Sequence, residues 1–101
     1  MTRFFFVYVL ESERDSNWYI GFTTDVERRV REHNDGTSRS TKHRRPLKLI
    51  YFEAYLEEND AKGRERFLKS GSCHRFLKRQ MRNYLKNSSG RAFTKKRLIR
   101  R

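Results

Sequence analysis

The chain has 101 residues, 35% of them hydrophobic and 14% aromatic, and a formal net charge of +13. That length supports one domain with a single modest core, filled by a few large side chains. No apolar run approaches the ~20 residues needed to span a bilayer, and the lone cysteine, Cys73, excludes an intramolecular disulfide. With no small-residue cleavage site behind the N-terminal apolar stretch, the expected setting is reducing and cytoplasmic.

Residues 4–10 are aromatic and β-branched throughout, as in a strand covered on both faces. A polar connection over 11–17 leads to a second strand at 18–22, antiparallel to the first, in which Gly21 marks a bulge or a close approach. Thr24 and Glu27 have capping-box spacing, which starts a helix that runs to Asn34 and is closed by a left-handed cap at Gly36. Residues 35–46 form a basic loop with Arg39, Lys42, Arg44 and Arg45, ended by the only proline, Pro46. A third strand follows at 47–53, then a helix at 57–69 stopped by Gly71, then a helix capped by Ser72 and running to about Leu85. Residues 86–101 read as a basic arm, disordered or ordering on its ligand. The domain is therefore expected over 1–85, with 86–101 as a tail.

Charge divides the chain unevenly. Residues 1–61 carry 10 Lys/Arg against 11 Asp/Glu, whereas residues 62–101 carry 15 against Glu65 alone. A polycationic back half is suited to a polyanion. Nucleic acid is preferred over acidic lipid, because the apolar residues of this half are needed for the core. Lys69, Arg75, Lys78 and Arg79 join the loop cations as expected nucleic-acid contacts.

Five side chains carry possible chemistry. Val26, Arg29, Val30 and His33 share one helix face, so the valines bring an arginine and a histidine toward the sheet. Either the two are held structurally, Arg29 snorkelling and His33 bonded to a carbonyl, or they serve a site. Glu65 shares the inward face with Ala61 and Leu68; it holds a metal or makes an ordinary helical pair with Lys69. Tyr8 and Tyr19 are core tyrosines or phenols aimed at a reacting group. Together the five supply a proton acceptor, an electrophilic stabiliser and a metal ligand. Zinc is not expected, since His33, His43, Cys73 and His74 lack paired ligand spacing.

The order Val7-Tyr8, Tyr19-Ile20-Gly21, Thr23, Asp25, Arg29, His33 and Asn34 resembles the GIY-YIG nuclease superfamily. Arg45-Pro46-Leu47-Lys48-Leu49 and the run from Arg64 to Ser72 resemble its small single-domain bacterial type. The likeness covers residues 4 to about 85. It implies an α+β fold, a small three-stranded antiparallel sheet flanked by helices, and Mg²⁺- or Mn²⁺-dependent hydrolysis of phosphodiesters. Tyr8 and Tyr19 match the tyrosines of the two motifs; Arg29, His33 and Glu65 match the family's arginine, its histidine-or-tyrosine position and its metal-binding glutamate. The first motif departs by reading Phe-Val-Tyr, Phe22 stands where some relatives carry lysine, and the asparagine that follows the glutamate in many relatives has no counterpart. In the implied mechanism Tyr8 takes the proton from water, with His33, the metal and Arg29 either lowering its pKa or relaying the proton; Arg29 stabilises phosphorus-centred charge, and Tyr19 orients water or phosphate. The expected function is a DNA endonuclease favouring single-stranded or branched DNA. The rivals are a ribonuclease and a non-catalytic nucleic-acid binding module, and a targeting protein partner is an open possibility.

Overall fold

The computed structural model describes residues 3–92 and divides into two compact units, a first that ends at Lys69 and a second that begins at Ser70. In the first unit the apolar N-terminal run forms β1 (Phe5–Ser12), and Trp18–Thr23 forms β2. Helix α1 spans Val26–Asn34, a single 3₁₀ turn spans Lys42–Arg44, β3 spans Leu47–Tyr55 and α2 spans Glu58–Lys69. The strands make one antiparallel sheet in the order β2-β1-β3. The most apolar strand thus takes the centre, where both neighbours satisfy its backbone and both faces are covered.

Side chains alternate along each strand, so register decides what meets what. Tyr8 lies opposite Gly21 on one side and Phe52 on the other. Tyr8, Leu10 and Leu47 form a buried cluster against which Tyr19 and Val30 of α1 pack. The opposite face takes α2: Lys62 lies over the Phe22 ring, Phe22 stacks on Phe5, and Arg64 pairs with Glu53. A bulge between Val9 and Leu10 moves the partner from Tyr51 to Leu49, passing over Ile50 and keeping Leu49 and Leu47 on the α1 side.

Several boundaries differ from expectation. Asp25, not Thr24, is the N-cap of α1, and its carboxylate accepts from Arg28 N at 3.1 Å. Thr23 Oγ1 accepts the Asp25 amide at 3.1 Å, a local turn that places the extended cap one residue later than the Thr24/Glu27 spacing implies. Gly36 does adopt the left-handed conformation, φ 85°.

In the second unit the expected single helix is two, α3 (Gly71–Gln80) and α4 (Arg82–Ala92). Met81 breaks them at φ −109°, ψ 27°, although its amide still reaches Leu77 O at 2.9 Å. No glycine or proline marks that break. The cap of α3 is Ser70, not Ser72, and Gly71 begins the helix. Residues 86–92 of the expected basic arm belong to α4, and the rest of that arm lies outside the described residues. Among the described residues no helix is long and apolar enough to cross a membrane.

Gly21 is the tightest point of the sheet. A Cβ there would fall 2.5 Å from Tyr8 Cζ, closer still to its hydroxyl oxygen and 2.9 Å from Cε2. Gly21→Ala therefore drives a methyl into a ring that cannot move aside, and should cost about 1–3 kcal/mol in urea denaturation. Adding Tyr8→Phe should recover only part of that loss, because Cζ remains in the way; full recovery would show that the hydroxyl alone set the constraint.

Candidate active site

Tyr8 projects from the central strand to the α1 face, where Gly21 leaves room for its phenol. Its hydroxyl lies 3.0 Å from His33 Nε2, and His33 Nδ1 lies 2.7 Å from Thr41 Oγ1. All three residues are fully buried. This chain joins β1, the last turn of α1 and the basic loop. Both hydroxyls can donate or accept, so the imidazole tautomer sets the direction. With the proton on Nδ1, His33 donates to Thr41 and Nε2 accepts the Tyr8 proton.

The rings of Tyr8 and Tyr19 sit 6.3 Å apart, and Tyr19 packs edge-on to His33 at 4.9 Å. Arg29, one helical turn before His33, lies near enough to the Tyr8 hydroxyl to favour its ionised form, and donates Nη1 to Glu32 Oε1 at 2.8 Å. Glu65 on α2 is close enough for its charge to act on Tyr8. Tyr19, Arg29 and His33 thus gather around the Tyr8 phenol, while Glu65 acts on it only through its charge and is held by Lys69.

Burial pushes the Tyr8 hydroxyl up to about 12, with the nearby Tyr19 and Glu65 acting in the same direction and only Arg29 opposing. Of the two expected roles for the neighbours, lowering this pKa is met among the side chains only by Arg29, whose effect desolvation exceeds. Burial, reinforced by Arg29, lowers His33 to about 4, against a smaller upward pull from Glu32. At neutral pH the Tyr8–His33 pair is uncharged and already hydrogen-bonded.

Glu65 Oε2 lies 2.9 Å from Lys69 Nζ. The carboxylate is mostly buried and the ammonium half-exposed, so the pair is worth only a few tenths of a kcal/mol and yields easily to a stronger cation. Among the described residues no group of three or more His, Cys, Asp or Glu could hold a metal by itself. Mg²⁺ does not require one, because it is commonly held by one or two carboxylates together with substrate phosphate oxygens and water. The oxygen donor of Glu65 fits that pattern, as it fits Mn²⁺.

The loop cations are not alike. Arg39, Lys42 and Arg45 are exposed, and Arg45 Nε also donates to Lys42 O at 2.6 Å. Arg44 is half-buried and turned toward Asp15 at 3.9 Å, while its carbonyl accepts from Ser12 Oγ at 2.7 Å. It ties the loop to the end of β1. A concavity of about 500 Å³ opens among Arg14, Asn34, Lys42, His43, Arg45 and Pro46. In the second unit Arg75, Lys78 and Arg79 are exposed on α3.

Three supporting features escaped the sequence reading. Thr41 completes the His33 hydrogen bonds, but one threonine in a Ser- and Arg-rich loop has no periodicity to expose it. Asn34 grips β3 with both ends of its amide, Oδ1 accepting Leu47 N at 2.8 Å and Nδ2 donating to Leu47 O at 2.9 Å. Glu53 receives two bonds of 2.9 Å from Arg64 and one each from the Tyr51 and Tyr55 hydroxyls, at 2.5 and 2.6 Å. Burial pushes the Glu53 carboxyl up, yet these bonds outweigh it and hold the group below its ordinary value. The i, i+2, i+4 spacing of Tyr51, Glu53 and Tyr55 was the available signal.

Comparison with protein families matches residues 4–76 to the GIY-YIG catalytic domain. The chain belongs to this family, a nuclease family. It is 44% identical over 71 residues to UPF0213 protein HQ_3675A of Haloquadratum walsbyi, covering 69% of this chain and 79% of that protein. It is 40% identical over 65 residues to UPF0213 protein YazA of Bacillus subtilis, covering 63% of this chain and 65% of YazA, just under two thirds of that relative. The solution NMR structure of UPF0213 protein BH0048 from Bacillus halodurans is 34% identical, with 73% of this chain and 81% of that one covered at a TM-score of 0.47.

The depressed His33 pKa has a consequence for stability. Because the folded value lies below the ordinary 6.5, at about 4, the buried neutral ring stabilises the fold fully above pH 6.5. That contribution, at most about 3 kcal/mol, is lost as pH falls through the window toward 4. Thermal unfolding followed across this range should show a steep acid limb in the wild type and a flatter one in His33→Gln. Equal slopes would place the acid sensitivity elsewhere.

Proposed function

We propose that the protein is a divalent-metal-dependent endonuclease acting on DNA, with a preference for single-stranded or branched substrates. The observation that carries this reading is the buried Tyr8–His33–Thr41 hydrogen-bond chain, with Arg29 on the same phenol. A fully buried tyrosine and histidine bonded to each other, beside a guanidinium and within reach of a carboxylate, is more polar apparatus than the core needs.

In this reading Tyr8 faces the attacking water and passes its own proton to His33 Nε2, while His33 Nδ1–H is held by Thr41. The pair need not ionise in advance, since proton arrival at the phenol oxygen and departure to the imidazole can be concerted. Arg29 offers donors to the charge that grows on the phosphoryl oxygens. Tyr19 orients the water or a phosphate oxygen. Glu65 would hold Mg²⁺ or Mn²⁺, which would polarise a phosphate oxygen and cancel the carboxylate charge that raises Tyr8. The exposed cations Arg39, Lys42 and Arg45, with Lys69, Arg75, Lys78 and Arg79, would contact the phosphate backbone.

The Glu65–Lys69 ion pair favours a second reading, a nucleic-acid binding module that no longer takes a metal. A cleavage panel separates the two. Wild type and Glu65→Gln are compared on single-stranded, duplex and branched DNA and on single-stranded RNA, each with Mg²⁺, Mn²⁺ or EDTA. Metal-dependent cutting of at least one DNA by the wild type alone is expected, with DNA affinity kept in the variant. Tight binding without cleavage of any substrate would favour the module, and cutting of RNA alone would overturn the substrate.

Arg29→Ala and Tyr8→Phe should each lower the cleavage rate by on the order of 10²-fold without unfolding the chain. With His33 held at about 4 and Tyr8 at about 12, the neutral relay pair is intact across the neutral range, so its contribution to the rate should stay level there and fall only in acid as His33 protonates. A wild-type rate that climbs steeply through neutral pH, with a slope lost in Tyr8→Phe, would show that Tyr8 acts as an ionised base and not as a relay.

A further inference from the structure

The face of the sheet that carries Tyr8 has an open end that the chemistry above does not use. Phe6, two residues before Tyr8 on the same strand, lies on that face about 7 Å away. Phe52, directly opposite Tyr8 on β3, packs edge-on to Phe6 at 5.8 Å, and Phe4 joins Phe6 at 6.5 Å. Phe52 is 51% exposed and Phe4 41%. Large aromatic rings are rarely left this open in a cluster unless something covers them.

We infer that Phe4, Phe6 and Phe52 form a stacking platform for unpaired bases of a nucleic-acid strand whose backbone passes the Tyr8 site. The inference rests on the nuclease reading for its polarity, since it names the part of the substrate beside that site. Charge selects the occupant. On the same unit the cation-lined concavity of Arg14, Lys42 and Arg45 opens beside the loop that touches His33 through Thr41. A solute drawn to this surface is a polyanion, and one that also covers bare aromatic rings must present flat apolar surfaces. Single-stranded nucleic acid does both, with phosphates for the cations and bases for the rings. A duplex keeps its bases stacked inside and offers the platform nothing. An open sheet presenting aromatic rings is an established way of holding single strands.

The test measures binding without cleavage, in EDTA, with the full chain. An oligothymidylate is compared with an abasic strand of the same length and phosphate number. The wild type should bind the base-bearing strand on the order of tenfold more tightly or better. Phe52→Ala should erase most of that preference, leave abasic affinity and its salt dependence unchanged, and be rescued by Phe52→Trp. Equal affinity of the wild type for both strands overturns the platform. So does a Phe52→Ala variant that keeps the preference, or one that changes sedimentation from dimer to monomer, which would assign the patch to a second copy of the chain. Cleavage of the same strands in Mg²⁺ reports separately on the nuclease reading, so the two can fail independently.

Discussion

The hydroxyl of Tyr8 cannot be buried alone, and most of the first unit is arranged so that it is not. A phenol taken out of water without a partner costs several kcal/mol on transfer to an apolar medium. Here its partner, His33, is itself fully buried and needs two of its own. The requirement spreads outward. His33 must end α1 on the sheet side, which fixes the helix phase and hence the cap at Asp25. Thr41 must reach Nδ1, which fixes the basic loop. Asn34 grips Leu47 on β3, and the Ser12 hydroxyl donates to the Arg44 carbonyl. Gly21 must lack a side chain because the ring occupies the space where one would go. Removing any member leaves another with an unmet hydrogen bond, so the constraint is shared.

On the other face a second polar cluster fixes α2. Arg64 and Glu65 are neighbours in sequence with opposite tasks. Arg64 is locked to Glu53 by two parallel bonds, and Tyr51 and Tyr55 close the carboxylate from either side along β3. A guanidinium in a bidentate pair cannot rotate away, so the helix is pinned in phase and height against the sheet. Glu65, one residue on, makes only an i,i+4 pair with a half-exposed lysine. The rigid residue sets the position and the loosely held one stays available to a stronger cation. Ala61 and Leu68, both fully buried, complete the same attachment.

What the sequence disclosed follows from periodicity. The aromatic and β-branched runs marked the strands, and the i, i+3, i+4, i+7 spacing brought Arg29 and His33 to the inward face of α1 beside Val30. Long apolar patterns were legible because many residues repeat one message. Single-residue decisions were not. Thr24 and Glu27 have the right spacing for a capping box, but the Thr23 hydroxyl forms a turn around Asp25 and moves the cap. Met81 ends α3 with no glycine or proline to announce it. Thr41 and the Glu53–Arg64 pair are contacts between segments far apart in the chain, and one-dimensional spacing says nothing about them. Arg44 read as one more loop cation until its carbonyl and guanidinium were seen tied to Ser12 and Asp15.

The same burial that secures the fold sets the resting chemistry. Desolvation raises Tyr8 and lowers His33, so both sit at neutral pH in the uncharged forms that the hydrogen bond between them needs. Ionising either one in the closed core would trade a satisfied bond for a buried charge beside Arg29 or Glu65. A phenol held in this way makes a poor free base and a well-placed relay. Its proton has one short path to an acceptor, and the groups that oppose its loss are Tyr19 and Glu65, the second of which would hold the cation in the proposed reaction. Stability and the proposed reactivity are therefore coupled through one pair of side chains, with Arg29 the one neighbour that opposes the rise of Tyr8.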